Sequence, residues 1–166
     1  MSRKAILFAL LIFFSIVGVA QNYIGTDFRF AFLKNLNPAF NTPPIFEVAI
    51  HAIQDLEATV EYGSPGDAFY QVQNINVSAG QVASVNFDQN EILNQENLDV
   101  VESRSFRVSC TAQARVYAFH NRLFFSDSSP VLPTSSLGTN YMVMATEDFG
   151  GGGPSLFNII GTANNT

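Results

Sequence analysis

The stretch FEVAIHAI, residues 46–53, shows the pattern that decides the fold. Apolar side chains at every second position alternate with other side chains: Phe46, Val48 and Ile50 against Glu47, Ala49 and His51. Successive side chains of a β-strand point to opposite faces, so this period is typical of a strand with one buried face. The stretch therefore predicts a half-buried strand.

The same period recurs along the chain. DFRFAFLK, residues 27–34, puts three phenylalanines on one face. EATVEY, residues 57–62, repeats the pattern and is followed by the turn signal YGSPGD, residues 62–67. Further strands are predicted for FYQVQNINV, VASVNF, SFRVSCTA, ARVYAFH, RLFF, NYMVMATE and SLFNII, and DQNEILNQENLD is expected to be a connector. About ten short strands separated by Gly, Pro and Ser predict an all-β chain, an antiparallel β-sandwich of Greek-key or jelly-roll-like type.

Residues 1–20 have the composition of a signal peptide. Arg3 and Lys4 precede an uncharged apolar run of 16 residues, from Ala5 to Ala20, which is shorter than the ~20 residues of a membrane-spanning helix. We expect the exported chain to begin near Gln21 and to form one soluble domain, residues 21–166. Its end, soon after an apolar segment, predicts that this domain is an incomplete module.

The charge of the exported chain argues against some partners. Loss of Arg3 and Lys4 from the 8 basic residues leaves 6 against 14 acidic ones, a formal net charge of −8. Nucleic acids and anionic membranes select clustered Lys and Arg, so we expect neither as a partner.

Cys110 is the chain's single cysteine, so no disulfide can form within the chain. It alternates with Phe106 and Val108, which favours a free thiol packed in a strand. A bridge to another chain or to a segment missing here is the alternative.

No residue set predicts catalysis, a cofactor or a metal. A hydrolase would take His120, Asp127 and a serine from Ser126, Ser128 or Ser129, but no strained nucleophile turn is present. Cys110 and His120 lack a feature that would lower the thiol pKa. Calcium remains open for Asp127, Glu147 or Asp148, although their spacing does not form a calcium loop. We therefore predict that the protein is not an enzyme.

Two Asn-x-Ser/Thr sequons are candidate glycosylation sites, at Asn76 and Asn164.

Three segments in fixed order carry a family resemblance. GTDFRFAFLKN (residues 25–35), VYAFH (residues 116–120) and VLPTSSLGTNYMV (residues 131–143) are similar to landmarks of the IgGFc-binding protein N-terminal domain family. The resemblance implies a β-rich, secreted or cell-surface module with binding or scaffolding roles and no enzymatic activity. Such modules occur in animal mucus and matrix proteins and in surface proteins of some bacteria. They commonly run further than this chain and adjoin cysteine-rich von Willebrand D-type domains.

The serine-rich stretch SDSSPVLPTSS, residues 126–136, is the predicted ligand-contact region. Each proline fixes φ and removes a backbone donor, so we expect rigid loops pinned to the core by Val131 and Leu132. The candidate contact residues are Ser126, Asp127, Ser128, Ser129, Thr134, Ser135 and Ser136. A purely structural crossover is the alternative reading of this stretch.

Together these features predict a secreted, extracellular or cell-surface binding and adhesion module of matrix or mucus, with glycoprotein or glycan ligands. The alternative is a scaffold module that self-associates or packs on neighbouring domains through exposed strand edges.

Overall fold

The computed structural model describes residues 22–33, 45–87, 101–122, 125–143 and 157–162. These residues form seven strands and one short 3₁₀ helix. The strands are β1 (Gly25–Phe30), β2 (Ile45–Ala52), β3 (Leu56–Tyr62), β4 (Gln71–Val77), β5 (Val82–Phe87), β6 (Phe106–Arg122) and β7 (Phe125–Val131), and the 3₁₀ helix is Thr134–Ser136. The predicted signal peptide, residues 1–20, and the predicted connector, residues 88–99, lie outside the described residues.

All seven strands belong to one antiparallel sheet that nearly closes into a barrel. This confirms the prediction of an all-β antiparallel chain. A sandwich of two separate sheets is not confirmed, because every described strand is connected to the same sheet.

The 17-residue strand β6 is the centre of the sheet. Ala114 pairs with Ala52 of β2 at one edge and with Gly25 of β1 at the other. One edge of β6 therefore carries β3 and then β2, and the other edge carries β1 and then β7. The prediction of two strands, SFRVSCTA and ARVYAFH, is wrong, because no Gly or Pro between them interrupts the ladder.

The sheet folds over itself at a corner where the registers change. Ala52 pairs with Ala114 and Ala58 pairs with Cys110, so β2 and β3 hold two more residues there than β6 does. Extra residues on one strand bend a sheet. The outer strands turn at the same level, where Gly80 adopts a φ of +74° and donates its N–H to the Ala52 carbonyl oxygen (2.9 Å). The corner brings the two halves of the sheet face to face.

The core lies between these halves. The even-numbered residues of β2, β3 and β6 face inward, and the predicted inner faces are confirmed: Phe28, Phe30, Phe32, Phe46, Val48, Ile50, Ala58, Val60 and Tyr62 are all buried. Phe106 joins the halves, with its ring stacked on Phe30 at 5.1 Å and edge-on to Phe87 at 5.0 Å. Aromatic packing across the fold therefore holds both halves together.

The YGSPGD turn forms as predicted and connects β3 to β4. The Asp67 carboxylate accepts hydrogen bonds from Ser103 Oγ (2.6 Å) and from the Ser64 N–H (2.8 Å). These bonds, chiefly the one from Ser103, lower the pKa of Asp67. The Arg104 guanidinium lies 4.2 Å from the centre of the Phe69 ring. The turn is thereby attached to residues 103–104, which precede β6.

Two predicted strands are corrected where the structure describes them. Residues 140–143 and 157–160 are not in strands, and Met142 is 90% exposed and Ile159 88% exposed. An alternating pattern predicts a strand only if a neighbour supplies the ladder, and the pattern does not reveal whether one is there.

Candidate binding surface

The predicted serine loop is an edge strand. Residues 126–129 belong to β7, where Ser126 pairs with Asn121, Ser128 with Phe119 and Ser129 with Ala118 of β6. The expectation of a rigid loop at SDSSP is therefore wrong. Pro130 fits because, among the described strands, β7 pairs only with β6, and an edge strand needs no donor on its outer side.

Strand alternation divides the exposed residues of β7 into two groups. Asp127 and Ser129 pair with the buried residues His120 and Ala118, so they lie at the rim of the inner face. Ser126 and Ser128 point to the opposite, outer face. All four side chains are exposed.

An outer patch of mixed chemistry surrounds Ser126 and Ser128. Register places Glu47 of β2, Phe119 of β6 and Ser128 of β7 side by side across three strands. Tyr117 and Asn121 flank Phe119 on β6, and Asn121 pairs with Ser126. We define the outer patch as Glu47, Tyr117, Phe119, Asn121, Ser126 and Ser128. The first four of these side chains are half-buried and the two serines are exposed.

The second group of predicted contact residues has mainly internal partners. Thr134 Oγ1 donates to the Asp27 carbonyl oxygen (3.2 Å) or to its carboxylate (3.1 Å), and Ser136 Oγ donates to the Asn22 carbonyl oxygen (2.8 Å). Ser135 is exposed. We call residues 132–137 the clasp segment, because it fastens the end of β7 to β1.

The clasp segment depends on Gly25. Pro133 is fully buried, and a Cβ atom at Gly25 would overlap the Pro133 Cβ and lie 3.0 Å from its Cγ. Phe28 of β1 also forms a bridge with Pro133. The GTDF and VLPTSSLG segments, about a hundred residues apart in sequence, are thus in direct contact. Val131 is buried as expected, Leu132 only half-buried, and Pro133 is the stronger anchor.

Asp27 is the polar centre of this contact. Its Oδ1 accepts a 2.9 Å hydrogen bond from Arg107 Nε, and Arg29 Nε lies 3.9 Å from Oδ2. The hydrogen bond to Asp27 raises the pKa of the Arg107 guanidinium, which keeps its charge. Asp27 therefore connects β1, β6 and the clasp segment.

Cys110 is half-buried on the inner face at the corner. Burial raises the pKa of its thiol to about 11, and the Asp27 carboxylate adds to the shift. At neutral pH the sulfur is a protonated thiol, which is a poor nucleophile and a poor metal ligand. This environment agrees with a packed strand position, and the candidate bridge to another chain or segment stays a prediction.

The Ser/His/Asp candidates do not form a nucleophile and base pair through Ser126 or Ser128. The His120 ring is buried and stacked on Phe46, with ring centres 4.6 Å apart. Asp127 pairs with His120, and Ser129 lies on the same side of β7 as Asp127. Ser126 and Ser128 project to the other face of the sheet. Cys110 and His120 lie ten residues apart along β6, in different halves of the fold.

No group of three or more His, Cys, Asp or Glu side chains suited to a metal occurs in the described part of the chain. Glu147 and Asp148 lie outside it. An open depression of about 400 Å³ at the corner contains Asp55, Glu57 and Thr111. Two of their polar atoms bind backbone: Asp55 Oδ1 accepts from the Ala79 N–H (2.7 Å), and Thr111 Oγ1 accepts from the Glu57 N–H (2.9 Å).

The sequon asparagine Asn76 is exposed near the end of β4, and Asn164 lies outside the described residues. Within the described ranges, no helix is long and apolar enough to cross a bilayer.

Sequence reasoning missed the aromatic half of the outer patch. Tyr117 and Phe119 lie between Val116, Ala118 and His120, so the alternation of ARVYAFH already places two aromatic side chains on the outer face. Their proximity to Glu47 and Ser128 depends on strand order, which the pattern does not contain. Comparison of the chain with protein-family models, curated proteins and solved structures gave no match.

Proposed function

We propose that the chain is a secreted, non-catalytic binding and adhesion module of the extracellular matrix, mucus or cell surface. Its ligands are glycoproteins or glycans, and the outer patch is their contact site. The N-terminal residues 1–20 support secretion because they combine two basic residues with a short apolar run.

One observation carries the proposal: the outer patch combines aromatic, hydroxyl and carboxylate groups on a rigid sheet. Phe119 lies between Glu47 on β2 and Ser128 on β7. A sugar ring has apolar C–H faces that pack on aromatic rings, and a rim of hydroxyls that both donate and accept hydrogen bonds. Serine hydroxyls do the same, and a carboxylate accepts. The patch therefore has groups for both parts of a glycan.

The scaffold under the patch is preorganised. Both faces of β6 are used, since Val116 and Ala118 pack in the core while Tyr117 and Phe119 face outward. Binding groups held on a rigid sheet lose little conformational entropy when a ligand binds.

The family resemblance also supports a binding module. The segments that carry it, GTDF and VLPTSSLG, pack together through Gly25, Pro133 and the bond between Asp27 and Thr134. They form one structural unit rather than isolated strand-like stretches, as expected of landmarks that define a module. The protonated thiol of Cys110 and the burial of the His120 ring against Phe46 favour a role without catalysis.

Binding of the purified protein to immobilised mucin tests the proposal, with immunoglobulin as a second ligand. Ser126→Ala with Ser128→Ala, combined with Phe119→Ala, is expected to weaken binding about tenfold or more, as truncation of a central aromatic contact usually does. A matched control, Ser64→Ala, changes an exposed serine in the turn between β3 and β4, away from the outer patch, and is expected to leave binding unchanged.

Ser129→Ala sharpens the assignment, because Ser129 lies on β7 but points away from the outer patch. Equal loss of binding in Ser129→Ala and in the patch variant would place the ligand on the edge of β7 instead. No binding to any glycoprotein by the unchanged protein would remove the proposal altogether.

The alternative function, a scaffold module that self-associates, is favoured by a different feature. Residues 68–87, which include the outer strand β4, contain no charged residue.

A further inference from the structure

The strand β4 lacks the features by which proteins prevent strand edges from pairing. Residues 68–87 contain 20 consecutive residues with no Asp, Glu, Lys, Arg or Pro, although the exported chain is strongly acidic. Natural sheets place charges, prolines or bulges on exposed edges to prevent pairing with another chain. The segment QVQNINV of β4 also has no glycine, and its first charged neighbours are Asp67 and Asp88 beyond its ends.

The outer edge of β4 has backbone groups available. Among the described strands, β4 forms a ladder only with β3, from Leu56 opposite Val77 to Tyr62 opposite Gln71. Alternate residues of a strand direct their N–H and C=O groups to each side, so the outer side retains donors and acceptors. The Gln73 side chain donates from Nε2 to the Asn86 carbonyl oxygen of β5 (2.8 Å). This bond uses a backbone acceptor of β5 and occupies no backbone group of β4.

We infer that β4 is the pairing edge for a second copy of this chain, in an antiparallel arrangement around a two-fold axis. The inference deepens the alternative scaffold role and rests on it, and it does not depend on ligand binding by the outer patch. A two-fold contact uses the same strand on both copies, so the pairing closes at a dimer.

Charge favours β4 as the place where two copies of the chain meet. Two copies, each with a net charge of −8, repel wherever acidic surfaces meet, and β4 is a neutral surface on an acidic molecule. The nearest acidic residues beside β4 are Glu57 and Glu61 on β3, which pair with Asn76 and Val72. Across two paired β4 strands, the β3 strands are three strand spacings apart, about 14 Å. This exceeds the Debye length of about 8 Å at physiological salt, so their repulsion is largely screened.

The test measures the oligomeric state of the secreted chain by light scattering over a wide concentration range. The host must not add N-linked sugar, because a glycan on Asn76, which lies in β4, would itself cover the edge. We expect a monomer–dimer equilibrium that shifts to dimer as concentration rises.

Val72→Lys and Val72→Glu place a charge on β4, where Val72 is 47% exposed. Both variants are expected to raise the dimer dissociation constant about tenfold or more. Val101→Lys and Val101→Glu are matched controls, because Val101 is fully exposed and lies outside the strands. They are expected to shift the dissociation constant only slightly and in opposite directions, because they change the net charge and not the edge.

Comparing Val72→Lys with Val72→Glu separates the effect of a charge on the β4 edge from the effect of the changed net charge. Lysine makes the acidic chain less negative and by itself favours association, whereas glutamate opposes it; only a specific contact at β4 is weakened by both. Far-UV circular dichroism identifies any variant that fails to fold. Val72→Lys should fold well, since the new lysine faces Glu61 across the ladder.

Four results overturn the inference. They are a chain that stays monomeric at every concentration, a dimer that both Val72 variants leave intact, a dimer lost equally in the Val101 variants, and assemblies that grow beyond the dimer. Mucin binding is measured on the same samples. Retained binding by a Val72 variant that has lost the dimer shows that the two proposals succeed or fail separately.

Discussion

Two of the outer strands, β4 and β7, are chemically opposite. Seven residues of β7 include Asp127 and Pro130, each of which discourages pairing with another strand, whereas the seven residues of β4 are uncharged and contain no proline. The end of β7 is also fastened to β1 by the clasp segment. The edge that resembles a loop in sequence is therefore suited to present side chains, and the edge that resembles an ordinary strand is suited to pair through its backbone.

Gly25→Ala is expected to cause the largest loss of stability, and only at the end of β7 and in β1, where Gly25 contacts Pro133. A Cβ at this position overlaps Pro133, and overpacking of this kind costs about 1–3 kcal/mol of unfolding free energy. The change is measured by urea denaturation. Hydrogen exchange should show lost protection in β1 and at the end of β7, with β4 unaffected.

Gly138→Ala is the matched control for Gly25→Ala. Its Cβ would meet only the Asn140 carbonyl oxygen at 4.0 Å, so we expect a neutral or slightly stabilising change. Adding Pro133→Gly, which removes the overlapping Cβ, should relieve part of the loss in Gly25→Ala. Equal destabilisation by Gly25→Ala and Gly138→Ala would contradict the clasp.

Alkaline pH is expected to lower the unfolding free energy by a smaller amount. Because this acts on the whole fold, β4 and β7 should lose protection equally. Burial raises the pKa of Cys110 to about 11, so the unfolded chain releases the thiol proton before the folded one does. The protonated thiol therefore stabilises the fold fully below about pH 8.5, the pKa of an unperturbed thiol. This contribution is lost as pH rises to about 11. Because Cys110 is partly exposed, we expect a loss of only about 1 kcal/mol.

The unfolding free energy of Cys110→Ala, followed from pH 8 to pH 11, isolates that contribution. The difference between the unchanged protein and the variant should narrow across this range, since all other titrating groups are shared. A constant difference would mean that the thiol is as accessible in the folded chain as in the unfolded one.

The inner faces of the strands could be predicted because burial follows the period of two. Phe28, Val48 and Val60 are recognisable as core residues without knowledge of their neighbours. The strand at residues 125–131 could not be recognised, since Ser and Pro are typical of loops and only the adjacent β6 makes this segment a strand. A strand tolerates a proline only if it lies at the edge of the sheet. The residues around the proline do not reveal whether the strand lies there.

Contacts between segments that are far apart in the chain also could not be predicted from the sequence. The fit of Gly25 against Pro133 and the bond between Asp27 and Thr134 join residues about a hundred positions apart. The outer patch required both the strand order and the register, because Glu47, Phe119 and Ser128 come from three strands. Composition shows the hydroxyl-rich stretch of β7, but not which of its side chains share a face.

Hydrogen exchange of the backbone amides, followed as a function of protein concentration, tests the difference between the two edges most directly. The account predicts that amides of β4 become protected as concentration rises and that amides of β7 stay unchanged until mucin is added, when protection appears around Ser126 and Ser128. Protection of β7 by concentration alone, or of β4 by mucin alone, would contradict it.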